Sequence, residues 1–133
     1  MGQPLTVLDA SVLVARAGRE ERGRQVARAD GDECKRDHDL LIPVTVFSES
    51  IVAPYRRSQP DGQRAEAALA ALGSVVAVTR DTASRAAQLR VTLQIKLPDA
   101  LVLATAMQVA AEPILTLDRR WLGVDSRVLL LEP

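Results

Sequence analysis

The chain has 133 residues, with 17 Lys+Arg against 17 Asp+Glu, so net charge singles out no nucleic acid, membrane surface or acidic substrate as its partner. Its one cysteine, Cys34, excludes an internal disulfide framework and fits a reducing compartment. The start "MGQPLTV" lacks a basic and apolar leader pattern, and no apolar run approaches the ~20 residues that cross a bilayer, so one soluble, cytoplasmic domain over 1–133 is expected.

In chain order, Leu5–Asp9 reads as a buried strand, and a helix follows from about Ser11, whose hydroxyl is suited to cap it. A polar helix is expected over Arg19–Ala29, and the charge run "DGDECKRDHD" (30–39) as an exposed turn. "LLIP" (40–43) is a short strand, and "VTVFSESIVA" (44–53) a helix that Pro54 should kink or stop. A helix over 61–73 places Gly73 where a C-terminal cap belongs. "VVAVT" (75–79) is a strand, followed by a helix over 81–96 with Asp81 as its cap. The next helix, 98–111, carries Pro98 in its first turn, and strands over 113–118 and 127–132 close the chain. Strands alternating with helices predict βαβ units: an α/β fold whose mainly parallel, five-stranded sheet is covered by helices on both faces.

Four carboxylates stand alone in these apolar stretches. Asp9 is the only charged side chain before Arg16, Glu49 the only one in 40–55, and Asp99 the only one in 97–111, while Asp118 closes the run that starts at Pro113. Each Asp has an ordinary reading as a strand-end, helix-start or turn residue. Glu49, in mid-helix among Val, Phe and Ile, is not a residue type that is buried unpaired. In an open parallel sheet ligands gather at the carboxyl ends of strands, where strand order reverses. Asp9 and Asp118 both end strands. If those strands are neighbours, about 4.8 Å apart, both carboxylates can reach one hard cation at oxygen distances near ~2.1 Å. No Lys or Arg is embedded in the four stretches to neutralise them. Oxygen-only donors without His or Cys favour Mg²⁺ or Mn²⁺ over zinc.

Other chemistries fit poorly. His38 is the only histidine and lies in a hydrophilic run, which excludes a paired-histidine ribonuclease and leaves a Ser–His–Asp hydrolase without its Gly-x-Ser-x-Gly elbow. A haloacid-dehalogenase-like phosphatase would need Asp where Ser11 stands. In 30–39, Cys34 and Lys35 fall where a calcium loop needs Asp/Asn and Gly. Six cations near the acid-bearing segments are candidates for phosphate contact: Arg56, Arg57, Arg90, Lys96, Arg119 and Arg120. With only Phe47, Tyr55 and Trp121 as aromatics, base stacking cannot be widespread; Tyr55 is a weak stacking candidate, and Trp121 is expected to pack beneath the Asp118 loop.

The order and spacing of "LDAS" (Asp9, Ser11), "VFSES" (Glu49), "LPDALVLATA" (Asp99) and "LTLDRRW" (Thr116, Asp118, Trp121) resemble the PIN-domain family, and within it the small VapC-type toxins of bacterial toxin–antitoxin pairs. That resemblance implies a PIN-like three-layer α/β/α sandwich and an Mg²⁺- or Mn²⁺-dependent endoribonuclease acting on RNA, a homodimer neutralised by a VapB-like antitoxin. It implies Asp9, Glu49, Asp99 and Asp118 as metal-holding catalytic acids, with Ser11 and Thr116 orienting the carboxylates or a bound water. Two other readings remain open: a catalytically silent binding module of the same fold, and a PIN-like nuclease outside a toxin system. Pro54 so soon after Glu49, and the lack of a second acid beside Asp118, depart from the family pattern.

Overall fold

The computed structural model describes residues 5–16 and 39–131. The helix expected over Arg19–Ala29 and the charge run as far as His38 lie outside those residues. Five strands, β1 (Leu5–Leu8), β2 (Asp39–Pro43), β3 (Ser74–Val76), β4 (Ile114–Thr116) and β5 (Val128–Leu130), form one sheet in the order β3-β2-β1-β4-β5. Every neighbouring pair is parallel, and β1 meets β4 with Val7 opposite Ile114 and Leu8 opposite Leu115. The helices are α1 (Ala10–Arg16), α2 (Val44–Arg57), α3 (Gln59–Leu72), α4 (Arg80–Leu93) and α5 (Leu97–Gln108), with a 3₁₀ turn at Arg119–Trp121.

The chain steps outward from β1 to β2 to β3, then returns across the sheet to place β4 on the other side of β1. Right-handed crossovers running in opposite directions send helices to opposite faces, which gives the three-layer sandwich. Strands covered on both faces are mainly apolar. Accordingly Leu8, Ile42, Ile114 and Leu115 are buried to 1% exposure or less, together with Leu103 of α5. Helix α5 is buried almost all round, at Ala100 and from Val102 to Ala106. Small residues allow this: Ala100 and Ala104 pack closely on Ala86 of α4. Trp121 is buried in the main core, as its expected place beneath the Asp118 loop requires. Among the described residues no helix is long and apolar enough to cross a membrane.

Several local expectations are corrected. Helix α2 does not stop at Pro54 but continues to Arg57. Pro54 sits in the last turn, so its ring removes only one backbone bond, that to Ser50, close to an end where bonds are lost anyway. Ser58 then turns extended, donates its N–H to Pro54 O at 3.2 Å, and accepts Asp61 N on its side chain at 3.1 Å. That cap starts α3 at Gln59, two residues earlier than expected. Helix α4 is capped by Thr79, which accepts from Thr82 N at 3.2 Å, and Asp81 lies inside its first turn. Gln94 in the left-handed region ends α4 before the expected Lys96. Ser11 lies within α1 rather than ahead of it. Tyr55 is packed over Gly62 of α3 and donates its hydroxyl to Glu66, so its ring serves helix packing.

Gly73 is not a left-handed cap. Its φ is −164°, ordinary extended backbone, and a Cβ there would lie 2.5 Å from the Leu40 carbonyl oxygen of β2. The glycine is needed for close approach, not for handedness. Gly123 is the converse, with φ +78° and open space around its missing Cβ. Gly73→Ala should therefore destabilise by about 1–3 kcal/mol through overpacking, and Gly123→Ala by about 1–2 kcal/mol through backbone strain alone. Urea unfolding measures both. A neutral Gly73→Ala would mean that β2 can move away from the turn.

Candidate functional site

The return from β3 to β4 makes the β1/β4 junction the point where strand order reverses, the place where open α/β sheets bind ligands. Asp9 follows the last residue of β1, and its backbone N–H donates to Leu115 O of β4 at 2.9 Å. Continuing the register by one residue sets Asp9 beside Thr116. Thr116 Oγ1 donates to Asp9 Oδ2 at 2.9 Å, and Ser11 Oγ donates to the same oxygen at 2.7 Å. A hydroxyl has one proton, so both residues spend theirs on this carboxylate. As acceptors they turn the other way: Ser11 Oγ takes the N–H of Leu117 at 2.9 Å, and Thr116 Oγ1 that of Asp118 at 3.0 Å. Ser11 is thus a clamp between α1 and the end of β4, the use that replaces its expected capping role. Asp9, only 6% exposed, has its hydrogen bonds concentrated on Oδ2.

Glu49 and Asp99 come to Asp9 from different elements. Glu49 lies in the second turn of α2, and Asp99 in the first turn of α5 just after Pro98. Glu49 is exposed, although it follows the inward-packed Val46 by three residues and so lies towards the same side of α2. Its carboxyl still holds its proton more tightly than usual: partial desolvation contributes most, and the charges of Asp9 and Asp99 add to it. Asp99 is raised likewise, by desolvation first and then by Asp9, with Asp118 adding and Arg120 and Lys96 opposing. Three acids on three elements therefore feel one another's charge.

Asp118 differs. It caps the 3₁₀ turn by accepting Arg120 N at 2.9 Å, and the Arg120 side chain folds back onto it. Nε lies 3.1 Å from each carboxylate oxygen and Nη2 lies 2.6 Å from Oδ2. These bonds hold the Asp118 carboxyl below the ordinary range. No Lys or Arg is embedded in the four acid-bearing stretches, but Arg120, just beyond the last of them, neutralises Asp118 from two residues away. Among the described residues, no three His, Cys, Asp or Glu side chains are arranged so that they could hold a metal ion. The acids share a field without closing a cage.

The remaining cations divide by position. Lys96 immediately precedes α5, and its charge reaches Asp99 and Asp118. Arg90 donates Nη1 to Ile95 O at 3.1 Å and ties the α4–α5 turn. Arg56 and Arg57 close α2 about 10 Å along its axis beyond Glu49. Arg57 faces Asp61 at 3.5 Å. Arg119 opens the 3₁₀ turn beside Asp118.

The PIN domain family profile matches residues 6–126. Among solved structures, the chain is similar to a toxin–antitoxin complex from Klebsiella pneumoniae, with 24% identity, TM-score 0.75, and 93% of this chain and 95% of that one covered. It is also similar to VapBC2 from Rickettsia felis bound to a DNA fragment from its promoter, with 11% identity, TM-score 0.79, and 96% and 99% covered. A third is VapC20 from Mycobacterium tuberculosis, described as a Sarcin-Ricin loop cleaving toxin, with 17% identity, TM-score 0.69, and 86% and 90% covered. At these identities the likeness is one of fold. No curated protein sequence matches the chain.

The opposed shifts give a pH signature for metal-free protein. Glu49 and Asp99 have folded values above their unfolded ones. Their contribution to stability is complete below about pH 4, the unfolded value, and is lost as pH rises through the folded values. Asp118 runs the other way, its contribution present above the unfolded value and lost as pH falls through the depressed folded one. In chelator, Glu49→Gln should therefore melt above the unsubstituted protein at neutral pH, and the gap should close towards about pH 4. Equal melting temperatures across that range would show that Glu49 does not feel the other acids.

Proposed function

Because this chain belongs to the PIN domain family, whose profile spans residues 6–126, we propose that it is a VapC-type toxin: a divalent-metal-dependent endoribonuclease restrained by a VapB-like antitoxin. The observation that carries this reading is the shared field of Asp9, Glu49 and Asp99 at the switch point, where like charges stand together in an oxygen-only setting. Such a cluster is relieved by a cation. The donor set suits Mg²⁺ or Mn²⁺, and Asp9, Glu49 and Asp99, joined by Asp118, are the residues that would hold it. When bound, such an ion supplies activation of the attacking water and charge neutralisation at the phosphodiester.

The chain's own residues have distinct parts in this scheme. Ser11 and Thr116 fix Asp9 through Oδ2, which sets the direction of the whole carboxylate. Glu49, exposed at the site, presents its carboxylate as a further oxygen donor towards the cation from α2. A shallow cavity of about 500 Å³ opens beside the start of α5, lined by Arg90, Val91, Gln94, Ile95 and Lys96. It supports a path for the RNA backbone on the Asp99 side, with Arg119 and Arg120 on the Asp118 side and Arg56 and Arg57 farther out. An antitoxin partner is supported by the similar structure from Klebsiella pneumoniae, which is a toxin–antitoxin complex. A cytoplasmic homodimer of a single 1–133 domain completes the proposal.

The silent binding module is a second reading, favoured by one observation: no three acids among the described residues stand ready to hold an ion. Incubating purified protein with total RNA, with Mn²⁺ or with chelator, separates the two. Cleavage should require the cation. Losing a partner that only orients a metal ligand costs roughly 10- to 100-fold. Ser11→Ala should fall in that range, and Asp9→Asn, Glu49→Gln and Asp99→Asn beyond it, roughly a hundredfold or more, with unchanged far-ultraviolet dichroism. Cleavage that persists in chelator, or survives Glu49→Gln, would overturn the nuclease assignment of these acids.

A further inference from the structure

The side chain that sets Asp118 apart from the other three acids is Arg120. Asp118 Oδ1 accepts Arg120 N at 2.9 Å and Nε at 3.1 Å, while Oδ2 accepts Nε at 3.1 Å and Nη2 at 2.6 Å. Both oxygens are thereby taken up by one residue. The backbone bond belongs to the 3₁₀ turn, which Trp121 anchors by being 2% exposed. The guanidinium is not anchored. The Arg120 side chain is 67% exposed, against 20% for Asp118, so its stem can swing into water without disturbing the turn.

We propose that Arg120 is an internal counter-cation that occupies Asp118 and leaves it when a divalent cation takes that carboxylate. The proposal rests on reading the acids as a metal centre. A guanidinium and a metal ion cannot both use the same carboxylate lone pairs. In the metal-free protein the single charge of Arg120 offsets part of the repulsion among the acids, an effect that reaches Asp99 and Asp9. A divalent ion does this with twice the charge and repels the guanidinium it displaces. Exposed ion pairs are weak, so the exchange costs little and the fork is a brake rather than a block. Arg120 is in this sense a positioning residue: it keeps Asp118 oriented while the centre is empty.

The test is Mn²⁺ titration by calorimetry, with emission of the single tryptophan, Trp121, as a second readout beside Asp118. Four proteins form a cycle: unsubstituted, Arg120→Gln, Asp118→Asn and the double variant. Arg120→Gln should bind Mn²⁺ roughly two- to fivefold more tightly, the range an exposed pair can impose. In the Asp118→Asn background the same substitution should tighten binding clearly less, because the part of the competition that runs through Asp118 is already gone. No tightening, or equal tightening in both backgrounds, would overturn the role of Arg120, the second result exposing a general effect of removing a charge. If the unsubstituted protein and Arg120→Gln both bind no Mn²⁺, the reading of the site as a metal centre falls, and this inference with it. Should Arg120→Gln lose its far-ultraviolet signal, Arg120→Met, which carries no charge and cannot pair with Asp118, takes its place with the same tightening expected.

Discussion

Two hydroxyl protons on one carboxylate oxygen join the two halves of this fold. Asp9 ends the central strand, and Thr116 ends the strand that arrives beside it only after the chain has crossed back over the sheet. Ser11 and Thr116 both donate to Asp9 Oδ2, while their oxygens accept the N–H groups of Leu117 and Asp118. A hydrogen bond to a charged group contributes about 1.5–3 kcal/mol net, and leaving such a group buried without one costs more. The network therefore does two things at once. It supplies a nearly buried acid with hydrogen-bond partners, and it fixes where β4 ends and the Asp118 turn begins.

The placement of the other acids follows from that junction. Sheet order, not sequence proximity, brings α2 and α5 to the same edge, and with them Glu49 and Asp99. The fold then accepts an electrostatic cost, since both carboxyls are raised in part by Asp9. Partial relief comes from Lys96 and Arg120, and from the amino end of α5, where a carboxylate is favoured. Asp118 bears no such cost because Arg120 neutralises it locally. The four acids are thus unequal: one held by hydroxyls, two left to repel, and one already paired. A cation entering this edge gains most from the repelling pair and must compete for the fourth.

Much of this was legible in the sequence, and the failures have physical causes. The strands were visible because each is short, apolar and bounded by turn residues. The acids stood out because a charge in an apolar run needs a partner. What the sequence hid were contacts between segments. Gly73 reads as a helix cap until Leu40 O is found where its Cβ would be. Pro54 reads as a stop, but a proline in a last turn breaks one bond only. Glu49 reads as buried because its neighbours are apolar, yet it is exposed even though Val46, one turn before it on the same side of α2, packs inward. Arg120 was visible as a cation in "LTLDRRW", but a solvated arginine and one folded back over a turn look alike in one dimension.

Likeness of backbone says little about which substrate such a site takes. The similar structure at 11% identity superposes with TM-score 0.79, and the one at 24% with 0.75, so here backbone agreement does not follow sequence agreement. A shared fold hosts many functions, and discrimination lies in the groups around the site. In this chain the cations whose charge reaches Asp99 and Asp118 are Lys96, on the turn between α4 and α5, and Arg120, on the 3₁₀ turn at Arg119–Trp121. Each turn is closed by its own short-range bonds, Arg90 Nη1 to Ile95 O at 3.1 Å and Leu122 N to Arg119 O at 3.1 Å. Neither contributes a strand to the sheet. Neither turn takes part in the hydroxyl clamp on Asp9, so the fold separates the part that holds this acid from the cation-bearing turns around it.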